Sequence, residues 1–267
     1  MDFTALFQVS GSHVHRMDLE VCRIFGAMTN FDLIHADEQL LVVSKPAGLL
    51  TIPDRFGNQN SLLAALNRAY GHVLTVHRLD RETSGILCFA RTEEAHRHLS
   101  LQFEHHKTDK FYLALLDGVL HHDEGEIDKP IGDHPVVSGK MAISSTGKPS
   151  LTFYRALERF RRFTLVEAQL KTGRTHQIRV HFQSIGYPLA VDALYGRRTG
   201  FLLSEIKGKH YKSGKHSEEE RPIMERTSLH AYRLRLDHPV TGERMEFKAE
   251  LPKDFQAVLA QLRKWGG

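Results

Sequence analysis

Cysteine is almost missing from this sequence: Cys22 and Cys88 are the two among 267 residues. Two thiols cannot build the disulfide framework of small secreted domains, so a buried apolar core must hold the fold. A reducing cytoplasm is the expected compartment. Nowhere is there a run of about 18 apolar residues, the length that crosses a bilayer, and no membrane partner is expected. The first thirty residues lack the basic start, unbroken apolar stretch and small-residue cleavage site of a signal peptide, because His13, His15, Arg16, Asp18 and Glu20 interrupt them. Neither a GxxxxGK[ST] loop nor a GxGxxG turn occurs, so no nucleotide cofactor is expected. The pairs His105-His106 and His121-His122 have no cysteine or carboxylate at zinc spacing and read as exposed loop histidines; no metal is expected. Excess charge is also small. Thirty-six Lys and Arg against 32 Asp and Glu leave +4, which permits a polyanionic partner without requiring one.

What is present is an ordinary globular composition, 41% apolar and 25% charged, in a chain long enough to bury a full core. Apolar runs predict strands over 40–44, 86–90 and 110–116, with two more over 151–157 and 163–170. Helical spacing appears over 61–70, over a segment opened by Thr92 with Glu93 and Glu94 in its first turn, and over 175–185. The stretch 117–149 reads as turn-rich. A hairpin pairs 229–236 with 244–251, and Pro252 opens a C-terminal helix ending near Trp265. The polar stretch 197–226, lysine-rich and then acidic, reads as a mobile insertion. Strands outnumber helices without alternating with them, which predicts an α+β fold: a mixed, mostly antiparallel sheet flanked by helices.

Three groups of residues can carry chemistry. Asp80 lies in His77-Arg78-Leu79-Asp80-Arg81-Glu82-Thr83-Ser84-Gly85, flanked by two arginines. Neighbouring cations favour an ionised carboxylate, suited to nucleophilic attack or to stabilising a developing cation. Spacing alone favours a structural ion pair with a hydroxyl-rich turn. The second group is Lys171-Thr172-Gly173-Arg174-Thr175-His176-Gln177-Ile178-Arg179-Val180-His181, where a strand turns at glycine into a helix. Free backbone N–H groups and two arginines suit a phosphate or a partner carboxylate there, and a capped helix start with a solvated basic face explains the pattern as well. Third is Tyr112, a strand tyrosine, a type usually found in the core with its hydroxyl satisfied.

Together these segments resemble the RluA-type RNA pseudouridine synthases. The resemblance begins at LLVVSKPAGLL and continues through HRLDRETSG, KFYLALLDG and LKTGRTHQIRVHFQSIGYPL to LHAYRLRLDHPVTGERMEFKAELPKDF, covering Phe31 to Phe255. HRLDxxTSG followed by GRTHQIRVH is the specific pair. The resemblance implies isomerisation of uridine in RNA to pseudouridine without cofactor or metal: the N1–C1′ bond breaks, the uracil turns, and C5 joins C1′. It makes Asp80 the catalytic aspartate, adding to C1′ or stabilising an oxocarbenium-like centre. Arg179 becomes the partner of that aspartate. Tyr112 lies against the uracil and takes a proton late in the reaction, and Ile178 lines the pocket. Arg78 fills the stack left by the flipped base. Arg174, His77 and Thr83 complete the expected substrate-binding set. Lys107, Lys110, Arg174 and the lysines at 207, 209, 212 and 215 are candidate phosphate contacts.

The implied partner is structured rRNA or tRNA bound by a monomer. Residues 31–267 would form the catalytic domain. The arm 1–30 has no counterpart in the family and is too short for the S4-type RNA-binding domain of many relatives. In the block after GYPL, Ala190-Val191-Asp192 stands where the family usually shows a glycine before the aspartate, which predicts an altered local backbone.

Overall fold

Alternating and continuous apolar runs generate most of the strands of a ten-stranded sheet, and the computed structural model describes residues 31–54, 60–212 and 220–266. The strands are β1 (Asp32–Ala36), β2 (Leu40–Lys45), β3 (Leu74–Thr75), β4 (Ser84–Ala90), β5 (Asp109–Asp117), β6 (Glu124–Asp128), β7 (Ile131–Asp133), β8 (Met141–Ile143), β9 (Leu151–Arg159), β10 (Phe163–Leu170), β11 (Leu229–Asp237) and β12 (Arg244–Lys248). The helices are α1 (Leu62–Tyr70), α2 (Glu93–Glu104), α3 (Gln177–Ser184), α4 (Leu203–Lys207) and α5 (Lys253–Trp265). The sheet runs β1-β2-β4-β11-β5-β10-β9-β6, with β3 beside β4 and β12 beside β11, while β7 and β8 form a separate hairpin. Every pairing is antiparallel except β4 with β11. The fold is α+β.

Side-chain alternation splits the core into layers. On one face Leu41, Val43, Leu87, Phe89, Ala114 and Val166 pack against Leu62 and Leu66 of α1 and Ile178 and Phe182 of α3. On the other, Leu40, Val42, Ile86 and Cys88 meet Ala95 and Leu99 of α2, and Leu115, Phe163 and Leu165 meet Phe255, Val258 and Leu259 of α5. Covered on both sides, β4 has every residue buried. The start of α2 follows its sequence signal, Thr92 Oγ1 accepting from Ala95 N, and at α1 Ser61 Oγ accepts from Ala64 N in the same way, each cap contributing about 1 kcal/mol.

Two segments differ from their sequence reading. The turn-rich stretch 117–149 contains β6, β7 and β8, whose short length and polar, half-exposed residues hide their period. The segment expected to be a mobile insertion is anchored where it is described: Phe201 and Met224 form a bridge, and both are buried with Ile206 of α4 against α5. Three apolar residues far apart in a polar stretch make no periodic signal, yet they suffice to tie it to the core. Residues 213–219, including Lys215, and the arm 1–30 lie outside the described residues.

The parallel pair fixes where the Asp80 loop ends. Ser84 pairs with His230 and Gly85 with Ala231. Gly85 has φ +119, and a Cβ there would overlap the Ala231 carbonyl oxygen, so glycine is required on both counts.

Candidate active site

Two loops are buckled together to present Asp80. Lys45, at the end of β2, has no exposed surface, and its Nζ donates to the carbonyls of Pro46, Leu49 and Arg81 at 2.8, 2.8 and 3.0 Å. Burial pushes its ammonium down to about 7, opposed by the charges of Glu82 and Asp80. Gly48 N donates to Arg81 O, and Arg81 Nε donates back to Gly48 O. Thr83 N closes the turn on Asp80 O at 3.1 Å. Asp80 thus leaves a loop fixed at both ends.

The second loop is organised by Gln177, the first residue of α3. Its Oε1 accepts from Thr172 Oγ1 and Arg174 N, and its Nε2 donates to Leu151 O and Thr152 Oγ1. All four polar partners of a buried amide are therefore within the fold, as burial requires. The same first turn of α3 carries Arg179. Its Nε and Nη2 grip Asp192 Oδ2 and Oδ1 at 2.7 and 2.8 Å, and its Nη1 reaches Asp80 Oδ2 at 3.3 Å. Asp192 has no side-chain exposure and also accepts from Leu194 N and Tyr195 N. Arg179 stacks on the Tyr195 ring at 4.9 Å. Burial works against its charge, but the bonds to Asp192 and the nearby Asp80 outweigh that and hold it above the ordinary arginine value.

Asp80, 27% exposed at its side chain, forms part of the wall of a cavity of about 710 Å³ that continues into a smaller one of about 80 Å³. Tyr112 and Leu170 line both, and Ile178 lines the smaller. The Tyr112 hydroxyl makes no hydrogen bond among the described residues. Burial, with Asp80 nearby, raises its pKa well above the usual tyrosine range, so it stays protonated at neutral pH. Arg78, Arg81, Lys110 and Arg174 stand around the larger cavity with Glu104 as the acidic exception besides Asp80. Burial and Arg174 lower Lys110 to about 8. Such a rim attracts phosphates, and its field is screened by salt.

Of the residues expected from the sequence, Asp80, Arg179, Tyr112 and Ile178 converge at the cavity. Arg78 is exposed at its edge and has no side-chain partner among the described residues. Arg174 lines the rim with Nε on Pro149 O at 3.3 Å. His77 lines the larger cavity and Thr83 the smaller, but both are held by the fold. The His77 ring stacks on Phe103 at 4.4 Å, and its Nε2 accepts from Cys88 N, so burial, with Lys110, drives its pKa down to about 3. Thr83 is 2% exposed beneath the Asp80 loop. The exposed Lys107, Lys209 and Lys212 do not line the cavity; Lys207 lies over the Trp265 ring.

Sequence reasoning missed Asp192, His176 and Tyr195. Asp192 was visible only as part of an unusual Ala-Val-Asp block. His176 adopts φ 56 and ψ 19, left-handed backbone that a non-glycine residue rarely takes, directly before α3. Among the described residues no group of three His, Cys, Asp or Glu side chains is placed to hold a metal ion, and no helix is long and apolar enough to cross a membrane.

The site is thus an α+β sheet presenting Asp80 in a cation-rimmed cavity, gripped by a buried arginine. The family model described as RNA pseudouridylate synthase matches residues 39–184. Ribosomal large subunit pseudouridine synthase D of Pseudomonas aeruginosa is 40% identical over 239 residues, 87% of this chain and 72% of that protein. An uncharacterised RNA pseudouridine synthase of Bacillus subtilis, YlyB, is 36% identical over 257 residues, 92% of this chain and 78% of that one. Among solved structures, human RNA pseudouridylate synthase domain containing 1 superposes with a TM-score of 0.62 at 26% identity, covering 88% of this chain and 95% of its own. Human domain containing 4 gives 0.68 at 24% identity, over 92% and 98%, and shows the shared fold. The chain belongs to the RNA pseudouridylate synthase family, isomerases that act on uridines in RNA.

Proposed function

We propose that this protein isomerises uridine in structured ribosomal RNA, with transfer RNA as the alternative target, and that Asp80 supplies the reacting carboxylate. The observation that carries the assignment is Arg179 bridging buried Asp192 and half-exposed Asp80. One carboxylate anchors the guanidinium, and the guanidinium aims the other at the cavity. An ionised, aimed carboxylate is what cleavage at a sugar C1′ calls for, whether by addition or by stabilising positive charge there. Uracil must leave its stack to reach it, at a cost of a few kcal/mol, least in loops. Tyr112 and Ile178 form the apolar seat for the ring, and the Tyr112 hydroxyl, kept protonated by burial, can donate a hydrogen bond to the base. Arg78, exposed and unpaired among the described residues, is suited to stack where the base was. Lys110 and Arg174 meet the backbone phosphates. The relative named for the large ribosomal subunit supports the cytoplasm as its compartment.

Ribosomal RNA is placed first because the Pseudomonas aeruginosa relative is named for the large ribosomal subunit. The test is carbodiimide primer extension on large-subunit rRNA fragments and on tRNA transcripts, using the purified protein and Asp80→Ala. New stops in rRNA with wild type alone are expected. Stops that persist with Asp80→Ala would remove Asp80 from the chemistry, and stops confined to tRNA would move the target.

A further inference from the structure

Both protein groups that face Asp80 do so at the same oxygen. Arg179 Nη1 lies 3.3 Å from Oδ2 and His176 Nε2 3.7 Å from it, while Oδ1 has no hydrogen bond among the described residues. The other side of the His176 ring is fixed. Its Nδ1 is 2.8 Å from the Tyr195 hydroxyl, and that hydroxyl accepts the backbone N–H of Met141 at 2.8 Å. With Met141 N–H already on the phenol oxygen, His176 Nδ1 is the acceptor available to the phenol proton. An accepting Nδ1 puts the proton of a neutral imidazole on Nε2, the nitrogen that faces Asp80. The opposite tautomer would aim a lone pair at a carboxylate and strand the phenol proton. Burial holds His176 below the ordinary histidine value; Asp80 and Asp192 pull upward and Arg179 downward. The ring therefore offers a neutral N–H instead of a second cation. The left-handed backbone at His176 gives the ring this reach between Tyr195 and Asp80.

We propose that Met141, Tyr195 and His176 form a positioning relay: it locks His176 as the Nε2–H tautomer, and on RNA binding this N–H closes onto Asp80 Oδ2, turning Oδ1 toward the reacting sugar. The 3.7 Å separation is too long for a hydrogen bond in the free protein, and catalytic contacts commonly tighten only with substrate present. The relay also ties the β7–β8 hairpin, which supplies Met141, to the carboxylate. It rests on the reading of Asp80 as the reacting group.

Two measurements test it. In the free wild-type protein, long-range ¹⁵N–¹H correlation of the histidine rings should give the Nε2–H pattern for His176, and Tyr195→Phe should give a mixture of tautomers. A wild-type Nδ1–H pattern overturns the relay. In single-turnover assays His176→Ala should lose about 10- to 100-fold in rate, the size of one hydrogen bond to a charged group, with RNA affinity within about threefold. His176→Gln, whose amide N–H can reach the Nε2 position, should recover most of the rate. His176→Asn keeps a residue at ease in left-handed backbone but is too short to reach Asp80, and should stay as slow as alanine. Recovery by Asn and not by Gln would assign His176 a backbone role and overturn the proposal. Wild-type rates in all three variants would do the same. An Asp80→Ala control separates the two levels: if it keeps its activity, the reading of Asp80 fails; if it is inactive while the His176 variants are normal, only the relay fails.

Discussion

Among the described residues, two arginine–aspartate clamps share nearly the same geometry. Arg179 holds Asp192 through Nε and Nη2 at 2.7 and 2.8 Å, and Arg226 holds Asp254 through the same atoms at 2.8 and 2.9 Å. They differ in the remaining nitrogen. Nη1 of Arg226 donates to Ser84 Oγ and to the carbonyls of Thr227 and Leu229, and Ser84 Oγ is bonded in turn to His230 Nδ1. That clamp is closed on the fold, where it fastens the start of β4 to β11. Nη1 of Arg179 instead meets Asp80, a carboxylate open to a cavity. The same side-chain pair can close on the fold or face a cavity according to where its third edge leads. A sequence does not display that edge.

The largest effect separating the two clamps is expected at Arg179. Arg179→Ala should cut turnover by about 10²–10³, the scale for removing one preorganised donor, with RNA affinity changed only a few-fold. It should also cost about 3–5 kcal/mol of stability by leaving Asp192 buried without its partner. Single-turnover kinetics, RNA binding and urea unfolding together check this. A loss confined to affinity would make Arg179 a phosphate contact. Arg226→Ala should reverse the pattern: about 1.5–3 kcal/mol of stability lost, with turnover per folded molecule within about threefold of wild type. The lower figure follows because Asp254, 31% exposed, is better solvated than Asp192 when its partner goes.

Acid should weaken the closed clamp, alongside the buried His77, over the same pH range. Burial, with Arg226 nearby, lowers His230 to about 4 from 6.5, so the unfolded chain binds the proton more readily. Its contribution is complete above about 6.5 and is lost as pH falls toward 4. Asp254 follows. The Arg226 bonds outweigh burial and hold it below 3.8, so its share disappears under further acidification. Urea midpoints should therefore decline from pH 7 to pH 4, and His230→Gln should flatten that slope. The smallest effect belongs to the rim. Lys110→Ala or Arg174→Ala should weaken RNA binding a few-fold and reduce the salt dependence by about one ion, leaving the rate at saturating RNA nearly unchanged.

Long apolar runs made β2, β4, β5 and β10 legible from sequence, helical spacing α1, and a cap with an acidic first turn α2, because burial, periodicity and N-cap chemistry are local properties. Strands β6 to β8 were not: their partners, not their own residues, make them strands, as when Gly125 pairs with Tyr154 in β9. The site divides in the same way. Asp80, Arg179 and Tyr112 stand in motifs whose resemblance to a family marks them. Asp192, His176 and Tyr195 gain their meaning from bonds of 2.7 to 2.8 Å that form only after α3 and the chain following it have folded against each other. His77, at the edge of the larger cavity, has its ring fixed by Phe103 and by the Cys88 amide, which its motif position does not reveal.

The central claim is that the open edge of the Arg179 clamp aims Asp80 at the substrate. It is tested most directly by Asp80→Asn, a change of nearly equal shape, assayed by tritium release from RNA containing 5-tritiated uridine under single-turnover conditions. Release slowed by about 10³-fold or more, with RNA affinity within a few-fold of wild type, is the predicted result. Release at the wild-type rate would contradict it.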